Sequence, residues 1–282
     1  MSEQQAAPTA IAEQNSRNLV ARVAAAAVLV PLALGTAYAG GWWWTALVTL
    51  AVIGLYVEWL KVVGLAHARR VLATGVIALA AIGLSMGLKR PEAALAAWVL
   101  GFAGVILLAS ERRGWAAGGF LYASSAQLAA IAVRADPVKG FDALVFVLFV
   151  AWASDIGGYF AGRGIGGPKL WPRVSPNKTW AGAIGGFFLS LVVAATFVAF
   201  GRGKALPLLC LAAMLSVAGQ LGDLLESAVK RRFGVKDSSH LIPGHGGLMD
   251  RLDSLVAALV LAAIFGLLRS GADGVGRALM VW

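Results

Sequence analysis

Apolar runs of roughly twenty residues, recurring along the chain and parted by short polar connections, constrain this sequence more than any other feature. A helix of that length spans about 30 Å, the thickness of a bilayer's hydrocarbon core. In lipid the backbone must satisfy its own hydrogen bonds, which favours helices for such runs. A window of about 19 residues places spans near 19–39, 42–63, 71–88, 93–110, 116–134, 142–162, 180–201, 204–229 and 252–269. The expected fold is therefore an all-α, polytopic transmembrane helical bundle of about nine helices. The second and eighth spans are long enough to tilt or break. A soluble domain is excluded: 59% of the 282 residues are hydrophobic and 13% are charged, too few polar groups to clothe a core of this size.

Residues 1–16 read as a polar tail. The first span follows Arg17 and Arg22 and ends in Ala37-Tyr38-Ala39, which imitates a signal-peptide cleavage site. With eight spans behind it, it reads as an uncleaved signal anchor. We expect N-terminal transmembrane helices over 17–140 and a C-terminal transmembrane region over 141–282 that carries two charged loops. The single cysteine, Cys210, lies inside an apolar run, so neither a disulfide framework nor a thiolate metal site is available.

Basic residues set the expected orientation. With the N-terminus inside, one side receives Arg17, Arg22, Lys61, Arg69, Arg70, Arg112, Arg113, Arg163, Lys169, Arg173, Lys178, Lys230, Arg231, Arg232, Lys236 and Arg251. The other side receives half as many: Lys89, Arg90, Arg134, Lys139, Arg202, Lys204, Arg269 and Arg277. The richer side is cytoplasmic by the positive-inside rule, so the active loops face the cytoplasm from an inner membrane. The formal net charge of +10 points to anionic lipid headgroups rather than to a nucleic-acid partner.

The stretch "SAVKRRFGVKDSSHLIPGHGGLMDRLDS", residues 227–254, gathers ionisable groups in a chain that is mostly oil. Just before it, Asp223, Glu226, Ser227 and Lys230 recur at helical spacing and share one stripe. A carboxylate in a membrane helix costs about 2.5 to 3.5 kcal/mol and needs a partner or a cation. Asp250 and Asp253 stand one turn apart at the start of the ninth span. Two such carboxylates about 4 Å apart repel by roughly 4 kcal/mol at an effective dielectric of 20. A divalent cation removes that repulsion, and an all-oxygen set of Asp223, Asp250 and Asp253 with Ser227 suits Mg²⁺ better than zinc. The plainer reading is a set of surface salt bridges with Lys230, Arg231 and Arg251. His245 reads either as a general base or phosphate donor, or as a loop hydrogen bond.

The second charged loop, "GRGIGGPKLWPRVSPNKTW", contains a literal G-x-G-x-x-G at Gly162, Gly164 and Gly167. It is no dinucleotide fingerprint, for no strand precedes it and no acidic residue follows before Asp223. It is no Walker A loop either, since Pro168 stands where the lysine belongs. More telling is Ser175-Pro176-Asn177-Lys178-Thr179, read as Ser175 capping the seventh helix with Pro176 at its first position. Free backbone N–H groups and Lys178 would then form an anion site. The alternative is a capped helix with a topogenic lysine. Asp155, inside the sixth span, is a further intramembrane carboxylate.

These motifs resemble the integral-membrane phosphatidate cytidylyltransferases. The family signature is met at Ser227, Lys230-Arg231, Lys236-Asp237, Pro243, His245-Gly246-Gly247 and Asp250-Arg251-Leu252-Asp253. Gly222-Asp223 and "SPNKT" match its two other segments, with departures at Asn177 for a lysine and Ala181 for a glutamate. The resemblance runs from about Trp152 to Ser254. It implies a dimeric membrane enzyme that converts CTP and phosphatidate to CDP-diacylglycerol and pyrophosphate with Mg²⁺, with room for a second cation. Asp223, Asp250 and Asp253 would hold metal with Ser227 assisting. Lys178, Lys230, Arg231 and Lys236 would neutralise phosphates, and Asp237 would ligate metal or orient Lys236. Ser175, Thr179, His245, Gly246, Gly247 and Arg251 would complete the substrate site, the Gly246-Gly247 turn admitting the nucleotide. The alternatives are a CTP-dependent lipid-alcohol kinase and a transporter with pathway carboxylates.

Overall fold

A computed structural model describes residues 27–239 and 246–282. Eight of its helices are long and apolar enough to cross a membrane: α2 (Gly41–Val62), α3 (Arg69–Gly87), α4 (Pro91–Leu108), α5 (Arg113–Ala135), α6 (Gly140–Gly164), α7 (Trp180–Ala199), α8 (Ala205–Arg232) and α9 (Met249–Ser270). A shorter apolar helix, α1 (Ala27–Ala39), precedes them. It coincides with the described part of the first expected span. The all-α bundle is thus as expected, and the chain is an integral membrane protein. Large side chains left on its outer surface, such as Leu50, Leu100, Phe188 and Leu268, would be a liability in water and are ordinary against lipid.

Neither long span is broken. α8 runs 28 residues without interruption, about 42 Å at 1.5 Å per residue, so it outreaches a hydrocarbon core of about 30 Å. Its polar last turns therefore extend toward the headgroup region. Elements beyond the expected spans also occur, two of them central to the packing. One is a hairpin of β1 (Lys169–Trp171) and β2 (Ser175–Thr179), paired antiparallel with Lys169 opposite Thr179 and Trp171 opposite Ser175. The other is a C-terminal helix, α10 (Val275–Met280), which buries Val275, Leu279 and Met280.

Glycines set two close helix contacts that matter for the site. A Cβ on Gly157 would meet Gly185 O at 2.7 Å, and one on Gly186 would meet Ser154 O at 2.4 Å, so α6 and α7 touch backbone to backbone. Between α8 and α9, a Cβ on Gly222 would meet Asp253 O at 2.7 Å. Small residues permit this approach in membranes, where packing rather than hydrophobicity joins helices. The second contact has a direct consequence: it draws Asp223, next to Gly222, up to Asp253.

The connection between α5 and α6 is fixed differently. Asp136 accepts from the Val138 and Lys139 N–H groups at 2.9 and 2.8 Å and from the Arg277 N–H at 3.1 Å. Burial penalises its charge, but these three donors and the Arg277 guanidinium outweigh that and hold the carboxyl below its ordinary value. One aspartate thus ties the start of α6 to α10.

Candidate active site

A cavity of about 780 Å³ opens between α6, the hairpin, α7, α8 and the start of α9. Asp155 and Arg163 reach it from α6, Asn177, Lys178 and Thr179 from β2, Asp223 and Lys230 from α8, Asp237 from the following loop, and Asp250, Arg251 and Asp253 from α9. Residues far apart in sequence, singled out from two separate loops, therefore line one space. Among the expected site residues, Ser175, Ser227, Arg231, Lys236, Gly246 and Gly247 do not line it, and His245 lies outside the described residues.

The expected cap is corrected. Ser175 belongs to β2, where it pairs with Trp171, and it is Thr179 that caps α7, its Oγ1 accepting from Gly182 N at 3.1 Å. The reason is non-local. Pro172 and Arg173 occupy a turn closed by Val174 N on Trp171 O at 3.1 Å, and pairing with β1 keeps Pro176 extended. The hairpin, not the cap, carries Lys178 to the cavity. There its Nζ forms an ion pair with Asp223 Oδ2.

Asp223 and Ser227 face the same way on α8, with Ser227 Oγ donating to Asp223 Oδ1 at 3.4 Å. Glu226, next along the stripe, is fully buried. Its two oxygens receive no well-aligned hydrogen bond, although Lys230 Nζ approaches Oε1 to 3.0 Å. Asp253 adjoins both Glu226 and Asp223. Asp155 accepts from Ser254 Oγ at 2.9 Å. Carboxylates so crowded and so short of donors call for positive charge.

The expected metal set is only partly assembled. Among the described residues no three acidic, histidine or cysteine side chains converge on one point. Asp250 is withdrawn by other contacts: Lys230 Nζ lies 2.5 Å from Oδ1, while Ser238 N, Ser238 Oγ and Gly247 N each reach Oδ2 at 3.0 Å. Its acceptor capacity is taken up by protein. Asp223 and Asp253 remain, facing the cavity together. That donor set fits Mg²⁺, which keeps several waters and binds through one or two carboxylates plus substrate phosphates rather than in an all-protein cage.

The Gly246-Gly247 turn also differs from expectation. Gly246 takes a positive φ of 83°, a backbone shape that favours glycine. At Gly247 a Cβ would lie 1.8 Å from Ser238 Oγ and 2.6 Å from Glu58 Oε2. The close approach at Gly247 is made by Ser238 and Glu58. Glu58, from α2, is 2% exposed and was absent from the expected site. Its signal was an ionisable residue inside an apolar span; Asp155 carried the same signal.

Fold and site together define a helical membrane protein whose carboxylates and lysines share one cavity near the ends of its helices. Residues 20–268 match the cytidylyltransferase family model, and the chain belongs to that family. It is 38% identical over 254 residues to the phosphatidate cytidylyltransferase of Brucella suis, covering 88% of this chain and 93% of that one. Over shorter stretches it is 46% identical to the phosphatidate cytidylyltransferase of Haemophilus influenzae, across 136 residues that make up 46% of this chain and 47% of the relative. The protein of that name from Staphylococcus saprophyticus is 47% identical over 129 residues, 45% of this chain and 49% of its own length. The chain is a nucleotidyltransferase, as its motifs led us to expect.

Proposed function

We propose that this chain is a phosphatidate cytidylyltransferase: it transfers CMP from CTP to phosphatidate, giving CDP-diacylglycerol and pyrophosphate. The observation that carries this reading is the mixed sign of the cavity wall, where Asp155, Asp223 and Asp253 face the same space as Lys178, Lys230 and Arg251. A bare cation would be repelled by the basic groups and a bare polyanion by the carboxylates. A metal–triphosphate complex satisfies both.

In this reading Asp223 and Asp253 would hold Mg²⁺, with Asp155 lining the same cavity. The ion would supply neutralisation of phosphate charge. Lys178, Lys230 and Arg251 orient the triphosphate and the lipid phosphate. A phosphatidate oxygen attacks the α-phosphorus of CTP as the bond to the β-phosphate oxygen breaks, and pyrophosphate leaves with that electron pair. A phosphate monoester dianion is already nucleophilic, so alignment and charge neutralisation suffice. Asp250 and Glu226 hold Lys230 in place. The family resemblance supports a homodimer, and the distribution of basic residues supports a cavity facing the cytoplasm.

The test is to supply the detergent-purified protein with labelled CTP, phosphatidate and Mg²⁺. CDP-diacylglycerol and pyrophosphate are expected in equal amounts. CDP with a phosphorylated lipid alcohol would indicate γ-phosphoryl transfer instead, and no product beside an active control enzyme would overturn the reading.

A further inference from the structure

Glu58 stands apart from the cavity, yet its contacts converge on Ser238, Ser239, Leu248 and Met249, close in sequence to Asp237, Asp250, Arg251 and Asp253 of the cavity wall. Its carboxylate accepts from Ser238 Oγ at 2.9 Å, Ser239 Oγ at 2.5 Å, Leu248 N at 2.9 Å and Met249 N at 2.7 Å. These partners lie 180 to 191 residues further along the chain. We propose that Glu58 is a positioning residue for the reaction, a cap supplied from α2 that holds Ser238 and Ser239 together with Leu248 and Met249 and sets the register of α9, and thereby the places of Asp237, Arg251 and Asp253.

The local chemistry supports this. A helix begins with backbone N–H groups that have no partner within it. α9 has no side-chain cap of its own. Glu58 accepts from two N–H groups at that end, and its negative charge there suits the helix dipole. Hydrogen bonds to an ionised acceptor are the stronger kind. Gly247 acquires a structural reason as well, because it leaves room for Glu58 and Ser238 where any Cβ would collide.

The contacts then lead inward. Ser238 Oγ stands between Glu58 Oε2 at 2.9 Å and Asp250 Oδ2 at 3.0 Å. A hydroxyl has one proton, so it donates to one carboxylate at a time, and Ser238 N and Gly247 N keep Asp250 satisfied when it turns to Glu58. Asp250 holds Lys230, which lines the cavity. A shift of one residue along α9 would move Asp253 by about 1.5 Å and 100°, and misplacement by about 1 Å can lower turnover on the order of 100-fold.

The proposal rests on the cytidylyl-transfer reading only for its kinetic arm. Glu58→Gln keeps the shape but presents an amide to a pocket already filled with donors. Hydrogen–deuterium exchange of the peptide spanning residues 247–254 should accelerate about tenfold or more, whereas exchange in α3 and α4 stays as in the wild type. In the folded fraction, kcat for CDP-diacylglycerol should fall about 10- to 100-fold. Adding Ser238→Ala should lower it little further, since both act along one route. A wild-type kcat per folded molecule, or a reduced kcat with unchanged exchange at 247–254, overturns the proposal. Should Glu58→Gln fail to fold, Ser239→Ala removes a donor rather than the carboxylate and is read by the same two measurements. If the wild-type protein makes no CDP-diacylglycerol, the functional reading fails, and exchange alone judges the positioning role.

Discussion

Replacing Lys230 by methionine tests the charge arrangement from within. Lys230 Nζ lies 3.0 Å from Glu226 Oε1 and 2.5 Å from Asp250 Oδ1, and the three side chains are 12%, 1% and 11% exposed. When the ammonium is lost, Asp250 retains Ser238 N and Gly247 N. Glu226 retains no aligned donor. The penalty therefore falls on Glu226, and removing one partner of a buried ion pair costs about 3–5 kcal/mol. Methionine preserves the apolar stem, so packing contributes little. Adding Glu226→Gln removes the orphaned charge, and the double variant should recover about 2 kcal/mol or more of that loss. Equilibrium unfolding in detergent micelles, followed by circular dichroism, measures both steps. Turnover should stay lost in the double variant, because Lys230 also faces the cavity. A loss below about 1 kcal/mol in Lys230→Met, or a double variant no more stable than the single, would refute this reasoning.

Three further outcomes follow from the same geometry. Asp253→Asn removes a carboxylate from the proposed cation site and should lower turnover on the order of 100-fold or more at ordinary Mg²⁺, with helicity retained; near-normal turnover would remove it from the ligand set. Lys178→Ala should raise the apparent KM for CTP about tenfold, equivalent to about 1.4 kcal/mol of lost phosphate contact, and an unchanged KM would leave the lysine a topogenic role. Asp136 has a folded-state pKa below its unfolded value of about 3.9, so its stabilisation is present above that value and disappears as pH falls through the depressed one. Thermal midpoints between pH 7 and 3 should therefore fall more steeply in the wild-type protein than in Asp136→Asn, and parallel curves would contradict the assignment.

The spans were legible because periodicity hardly matters when a whole segment is apolar; length alone separates a membrane helix from a strand. The cavity was legible in outline for a related reason. Charge in oil requires a cause, and Asp223, Lys230, Asp250 and Asp253 carried that signal openly. What could not be read were the partnerships across sequence distance. Ser175 before Pro176 has the composition of a helix cap, but a strand at 169–171 claims it, and nothing local to 175–179 announces that strand. Asp250 has the look of a ligand beside Asp253, yet Lys230, Ser238 and Gly247 supply its donors. Glu58 shows the limit most sharply: a lone carboxylate in α2 signals function, but only the folded chain shows that its partners are Ser238, Ser239, Leu248 and Met249.

The floor of the cavity argues against the transport reading. A pathway across the membrane needs polar groups free to exchange partners along its length. Below Asp155 the polar groups are closed on one another instead. Ser154 Oγ and Ser216 Oγ share a hydrogen bond at 2.9 Å, and Ser190 Oγ donates to Gly186 O at 2.9 Å. Ser190 and Ser216 have no exposed surface and Ser154 has 5%. Around them α6 and α7 meet at Gly157, Gly185 and Gly186, too close to admit even a methyl group, so opening a path here would require separating two backbones rather than turning a side chain. Carboxylates gathered at one end above such a seal suit a site that binds, reacts and releases on the same side of the membrane.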